Sequence, residues 1–261
     1  MLPCPNTHPE NYPPASRTLF SRSLCPSFAQ PEKFMPTPTP GYQTKQEIIT
    51  VGRSDYTIRS LLDRQQYSDP QGEAEAAGIP PATWPLFGLL WPSSRVLAGL
   101  MDNHNLIGKR VLEIGAGLAL ASLVVHRRLG DITASDWHPL SPGFLAENVL
   151  LNHLSPLKYQ RGNWAGENPE LGEFDLIIGS DILYERQQPQ QLATFIHRQA
   201  APGATVIIVD PDRGNRSGFC HAMVALGYGF DMHRVPSPLE NGDSYKGCVV
   251  TFTQMTVLAA A

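Results

Sequence analysis

Residues 111–125, VLEIGAGLALASLVV, bring an apolar run, an acid and two glycines into fifteen positions. Two glycines where a buried strand ends let a nucleotide-like or nucleoside-like ligand lie against bare backbone. The residue types narrow the choice of ligand. A phosphate-gripping loop requires Gly-Lys-Ser/Thr, and none follows Gly117. The dinucleotide fingerprint requires Gly-x-Gly-x-x-Gly/Ala. Here Gly115-Ala116-Gly117-Leu118-Ala119-Leu120 sets leucine in the third small position, which counts against a nicotinamide cofactor. Glu113, two residues before the first glycine, would repel a pyrophosphate but suits a ligand with an ammonium group.

S-adenosylmethionine is such a ligand. It has no phosphates, and it offers an ammonium, a sulfonium, a ribose and an adenine. Asp136, nineteen residues past Gly117, closes the next apolar stretch, close to the distance at which an acid reaches ribose hydroxyls. Plainer readings stand beside these: a tight strand-to-helix turn for the glycines, and a turn cap before Pro139 for Asp136.

A second pair lies further on. Asp181 and Tyr184 occur in SDILYE, directly after the apolar run FDLIIG, and so sit at a sheet edge. An acceptor would meet a transferable methyl there. Methyl transfer is an in-line displacement by a free lone pair, so positioning dominates. A lysine of pKa ~10.4 is mostly protonated at pH 7, and freeing its lone pair costs about 4–5 kcal/mol. A partly dry site beside a sulfonium favours the neutral amine, and a carboxylate with a tyrosine edge can orient it. Asp181 therefore reads as an orienting acceptor and not as a strong base. The plain reading is a helix-capping Asp and a buried Tyr. Arg213 and Arg216, in DPDRGNR, face either this site or solvent. The eight histidines show no metal or triad spacing, no metal is expected, and His138 is assigned no role.

The elements that must position these residues alternate. QEIITV and DYTIRS around GRS predict a β-hairpin, followed by a polar, Pro/Gly-punctuated stretch over 61–81. A helix is expected from Pro92, with Val96, Leu97, Leu100 and Met101 on one face. KRVLEIG is a buried strand, and a helix follows from about Leu118 to Leu129 with Gly130 as its C-terminal cap. DITASD is the next strand, and Ser141 and Pro142 read as cap and first residue of a helix to about His153. A weak strand lies near 157–161. FDLIIGSD is the clearest strand, and Pro189 opens a helix with Leu192, Phe195 and Ile196 inward. ATVIIVD, a helix over 217–226 closed by Gly227, and an antiparallel pair YGFDMHRV and CVVTFTQM around an Asn241-Gly242 turn complete the chain. The expected fold class is α/β, a doubly wound, mostly parallel seven-stranded Rossmann-like sheet with a C-terminal antiparallel pair and an N-terminal hairpin extension.

The first forty residues hold ten of the 24 prolines and are expected to be disordered, giving boundaries at 1–41, 42–82 and 83–258. Met35 is the expected true start. Net charge −4 and a pI near 6.0 argue against a nucleic-acid binder, which needs a basic surface. The four scattered cysteines read as reduced thiols of a cytoplasmic protein, and no apolar run approaches membrane-spanning length.

LLWPSSRVLA (89–98), VLEIGAGLALASL, ASDWHP (134–139), GNW (162–164) and IIGSDILYE (177–185) occur in an order that resembles the seven-strand S-adenosylmethionine-dependent methyltransferases over about residues 80 to 230. The closer likeness is to the methyltransferase-like protein-lysine branch and its bacterial relatives, which include nicotinamide N-methylase-like proteins. The resemblance implies that Trp91, Glu113, Gly115, Ala116, Gly117, Asp136, Trp164 and Ser180 contact the cofactor. It places Trp164 at the adenine and Asp136 on the ribose. It matches Asp181 and Tyr184 to the Asp-x-x-Tyr of that branch, without the paired prolines of nucleic-acid amino-methylases. Ala119 stands where many relatives have glycine. The expected function is N-methylation of a protein lysine or other side-chain amine by a monomer. The rivals are a small-molecule amine or pyridine acceptor, a nicotinamide-dependent oxidoreductase, and a non-catalytic cofactor-binding module.

Overall fold

The computed structural model describes residues 41–184, 188–237, 239 and 242–255. The proline-rich segment 1–40 with Met35, and Asn241 of the expected turn, lie outside these. Alternating residues over 44–61 pair in strict antiparallel register as β1 (Thr44–Val51) and β2 (Ser54–Leu61) around Gly52 and Arg53. Ile49, Val51, Tyr56 and Ile58 turn into the core. The stretch after the hairpin contains a helical turn that was not expected, α1 (Glu73–Ala76), whose first N–H groups are taken by Asp69. A 3-10 turn, Trp84–Gly88, follows.

The helix from Pro92 forms as α2 (Pro92–Asn103). Its fully buried face is Ser93, Leu97, Ala98 and Met101, with Val96 and Leu100 only half buried. The alternation then runs β3 (Arg110–Ile114), α3 (Leu120–Arg127), β4 (Asp131–Asp136), α4 (Ser141–Leu151), β5 (Lys158–Arg161) and β6 (Phe174–Ser180). It continues through α5 (Gln188–Gln199), β7 (Ala200–Asp210) and α6 (Arg216–Ala225) to β8 (Tyr228–Arg234) and β9 (Cys248–Gln254). The large sheet has the order β5-β4-β3-β6-β7-β9-β8, with β9 antiparallel to both its neighbours. The chain winds outward from β3 to β5, then returns to β6 on the other side of β3. This reversal leaves a crevice at the carboxyl ends of β3 and β6, where open α/β sheets bind ligands.

Successive strand residues serve opposite faces. Val111, Leu176, Ile178, Ile207 and Val209 join a core with the hairpin, α2, α3 and α4. Leu112, Ile114, Ile177, Val206 and Ile208 join the other core, with α5 and α6. The hairpin is fastened by two asparagines one turn apart at the end of α4. Asn148 accepts the Arg59 N–H at 2.8 Å and donates to its carbonyl at 3.3 Å, and Asn152 does the same for Thr57 at 2.9 and 2.8 Å. These side-chain amides satisfy a strand edge that would otherwise be unpaired.

Three helix ends differ from expectation. α3 starts two residues late, because Ala119 takes a left-handed φ of 59°. At its other end the left-handed residue is Leu129 (φ 61°) and not Gly130, whose Cβ position lies 2.7 Å from Val125 Cγ1. Gly130 is needed there for close packing. Ser141 is the first helical residue of α4 and not its cap, which is Leu140, and no side chain caps this helix.

Candidate functional site

The backbone turn between β3 and α3 sets the geometry. Gly115 and Gly117 have φ of 57° and 54°. A Cβ at Gly115 would lie 2.7 Å from Ile182 Cγ2, and one at Gly117 only 2.8 Å from the Phe87 carbonyl oxygen. Both glycines are therefore required by the chain's own packing as well as by the left-handed turn. Between them the Ala116 N–H donates to the Ser135 carbonyl at 3.0 Å and ties the turn to β4.

Glu113 does not reach the crevice. Strand alternation puts it with Val111 on the face covered by α3. It is 2% exposed, and its Oε2 accepts the Ser122 N–H at 2.7 Å and the Ser122 hydroxyl at 2.5 Å. Ser122 lies in the first turn of α3, so this carboxylate ties the end of β3 to the start of that helix. Burial pushes its pKa up to about 7, against the two bonds from Ser122.

Asp136 closes β4 with both oxygens engaged. Oδ2 accepts the Gly117 N–H and Oδ1 the His138 N–H, each at 2.8 Å. It thus caps the turn, as the plainer reading had it, and still lines the crevice with lone pairs to spare. Burial raises its pKa, while the bonds from the His138 and Gly117 N–H groups oppose the shift. His138 braces the same wall: its ring stacks on Phe87 at 3.7 Å, and burial depresses its pKa to about 3, keeping it neutral.

These residues surround a cavity of about 460 Å³. Of the ten sequence-selected residues, all but Glu113 line it. Trp91 is fixed by its Nε1–H on the Leu86 carbonyl at 2.9 Å. Trp164 borders the Gly115 turn, 3.5 Å from that glycine's Cβ position.

Ser180 lines this cavity alone, whereas Asp181 and Tyr184 lie where it meets a second one of about 670 Å³. Trp91, Asp181, Tyr184 and Arg213 belong to both. Asp181 is held at a left-handed φ of 54° by its N–H on the Val209 carbonyl, a bond from β7 to the end of β6. Its Oδ1 accepts Arg213 Nε at 2.6 Å, which raises the Arg213 pKa. Arg216 does not face the site. Its Nη1 donates instead to Asp210 at 3.0 Å and Asp212 at 2.7 Å.

Three contributors escaped the sequence reading. Trp137 lines the first cavity, with Nε1–H on the Ala77 carbonyl at 2.8 Å and the Arg161 guanidinium 4.1 Å from its ring centroid. Only its place directly after Asp136 could have flagged it. Residues 77–80 and Arg64 complete the same wall from a stretch read as a polar connection. Tyr245 lines the second cavity and shares a 2.9 Å hydrogen bond with Ser93, a tie between distant segments without a local signal.

Among known proteins, the zebrafish (Danio rerio) protein N-lysine methyltransferase METTL21A is 32% identical over 130 residues, 46% of this chain and 58% of that protein. The Arabidopsis thaliana calmodulin-lysine N-methyltransferase is 27% identical over 48% of the chain and 45% of its own length. The rat (Rattus norvegicus) histone-arginine methyltransferase METTL23 is 26% identical over 60% and 72%. The chain spans little more than half the length of the first relatives it matches. Among solved structures, SMU.776, assigned as a methyltransferase and complexed with SAH, superposes with a TM-score of 0.55 at 15% identity, over 80% of this chain and 56% of that one. That likeness shows the shared fold. The family model described as lysine methyltransferase matches residues 87–223, just over half of the 261, and takes in the glycine turn, Asp136, Trp164 and the Asp181–Tyr184 segment. The chain belongs to the lysine methyltransferase family.

Proposed function

We propose that this protein is an S-adenosylmethionine-dependent N-methyltransferase acting on a lysine, or another side-chain amine, of a protein. The observation that carries the reading is the meeting of two cavities at Asp181 and Tyr184. The first cavity suits the cofactor's chemistry. Its wall has aromatic faces from Trp91, Trp137 and Trp164 for an adenine, a carboxylate with free lone pairs for ribose hydroxyls, and a glycine turn. A nicotinamide dinucleotide is disfavoured by Leu120, which stands in the third small position of the glycine motif.

When bound, S-adenosylmethionine supplies an electrophilic methyl on a cationic sulfur. Gly115, Gly117 and Asp136 hold the adenosine part, and Trp91 borders the junction where the acceptor enters. Asp181, with Oδ1 fixed by Arg213, keeps Oδ2 as an acceptor for an amine N–H, which aligns the nitrogen lone pair. Tyr184 forms the side of the acceptor channel. The second cavity, running to Tyr245 and Lys246, has room for a side chain and part of the peptide that carries it. A monomeric state belongs to the same proposal, as does a cytoplasmic setting, which is supported by the four scattered cysteines.

The test is labelled methyl transfer into a cell lysate split into protein, nucleic-acid and small-molecule fractions. Label in a protein band, recovered as methyl-lysine on hydrolysis, is the expected result. Label only among small molecules would assign the acceptor to the rival class.

A further inference from the structure

Two arginines stand in the wall of the first cavity, Arg64 and Arg213. Arg213 is committed to Asp181. Arg64 has no ion pair among the described residues. Its guanidinium lies 4.8 Å from the centroid of the Trp91 ring. A guanidinium held over an aromatic ring in this way spends no N–H on an ion pair, and its donor fork matches a carboxylate.

Trp91 lines both cavities, so Arg64 is held close to their junction. The transferable methyl must point at that junction, and the amino-acid tail of the cofactor leaves the same sulfur atom. The two other fixed charges facing the ligand, Asp136 and Asp181, suit its sulfonium and ammonium and would repel its carboxylate. We propose that Arg64 binds the α-carboxylate of the cofactor's amino-acid tail, with Trp91 as its platform. The inference rests on the S-adenosylmethionine reading. Arg64 lies outside the family match at 87–223, in the connection between the N-terminal hairpin and the 3-10 turn at Trp84–Gly88.

The decisive probe is decarboxylated S-adenosylmethionine, which lacks only that carboxylate. Calorimetric binding of both ligands is measured for the full-length protein and for Arg64→Ala, Arg64→Gln and Arg64→Lys. The unsubstituted protein is expected to bind S-adenosylmethionine about tenfold more tightly than the decarboxylated ligand, equivalent to about 1.4 kcal/mol. Arg64→Ala and Arg64→Gln should lose that tenfold for S-adenosylmethionine and change by less than twofold for the other ligand, with Arg64→Lys in between. Equal losses for both ligands would make Arg64 a packing partner of Trp91 and overturn the proposal. So would equal affinities in the unsubstituted protein, a comparison that needs no variant to fold. Failure of the unsubstituted protein to bind either ligand would overturn the cofactor reading itself, and this inference with it.

Discussion

Arg213 Nε donates to Asp181 Oδ1 at 2.6 Å, joining the loop after β7 to the residue directly after β6. Asp181 is thus a fixed carboxylate, held by its main chain to Val209 and by its side chain to Arg213. Asp181→Ala should lower single-turnover methyl transfer by ~10²-fold, the scale of a misplacement by about 1 Å, while cofactor affinity changes far less. Arg213→Ala should follow in the same direction with a smaller loss, since it acts through Asp181. Normal transfer in Asp181→Ala would reduce the pair to a loop fastener.

Asp136 serves two purposes, and its substitution should show both. In Asp136→Ala the Gly117 and His138 N–H groups lose their acceptor, so stability should fall by about 1–3 kcal/mol. Cofactor affinity should fall roughly ten- to hundredfold at the same time. Asp136→Asn keeps one acceptor oxygen and should recover part of the stability but less of the affinity. Urea unfolding and calorimetric binding on the same preparations separate the two losses.

Glu113 makes stability depend on pH in an unusual direction. Its folded pKa of about 7 exceeds the ordinary 4.5, so folding favours its protonated form. That stabilising contribution is complete below about pH 4.5 and is lost as pH rises through 7. The stability of the unsubstituted protein relative to Glu113→Gln should therefore decline by about 1–3 kcal/mol between pH 4.5 and 7.5. Urea midpoints across that range measure it, and a flat difference would mean that Glu113 stays ionised throughout.

Leu129 is 93% exposed and sits at φ 61°, so it bears the left-handed penalty without the benefit of burial. Leu129→Gly should raise stability by about 1 kcal/mol and the melting temperature by roughly 2–4 °C, with transfer unchanged. Gly130→Ala, one residue later, should do the opposite because of Val125.

The order of elements was legible because hydrophobic periodicity and turn residues are local properties. VLEIG, DITASD and FDLIIGSD read as parallel strands, and the chain-order alternation placed Gly115, Asp136 and Asp181 at carboxyl ends of strands that turned out to be neighbours. The residue types at those ends then pointed to a phosphate-free ligand with a cationic group. The direction of Glu113 was equally implicit in the two-residue period that faces it with Val111 toward α3, although it had been read as a ligand contact.

Tertiary structure decided the rest, through contacts between residues far apart in the chain. Arg213 is chemically a solvent-facing loop residue until the β6–β7 pairing brings it to Asp181, 32 positions away. Arg216, three residues on, looks identical in sequence but is claimed by Asp210 and Asp212. Asn148 and Asn152 carry no signal until β2 lies beside α4 with an edge to satisfy. Arg64 and residues 77–80 read as a polar connection, and they enter the site only because Trp91 and Trp137 take hold of the segment that follows the hairpin. Periodicity determined which residues form elements and which face they bury. The identity of each charge's partner depended on the packing of those elements, because an ion pair or a side-chain hydrogen bond is set by distance in space.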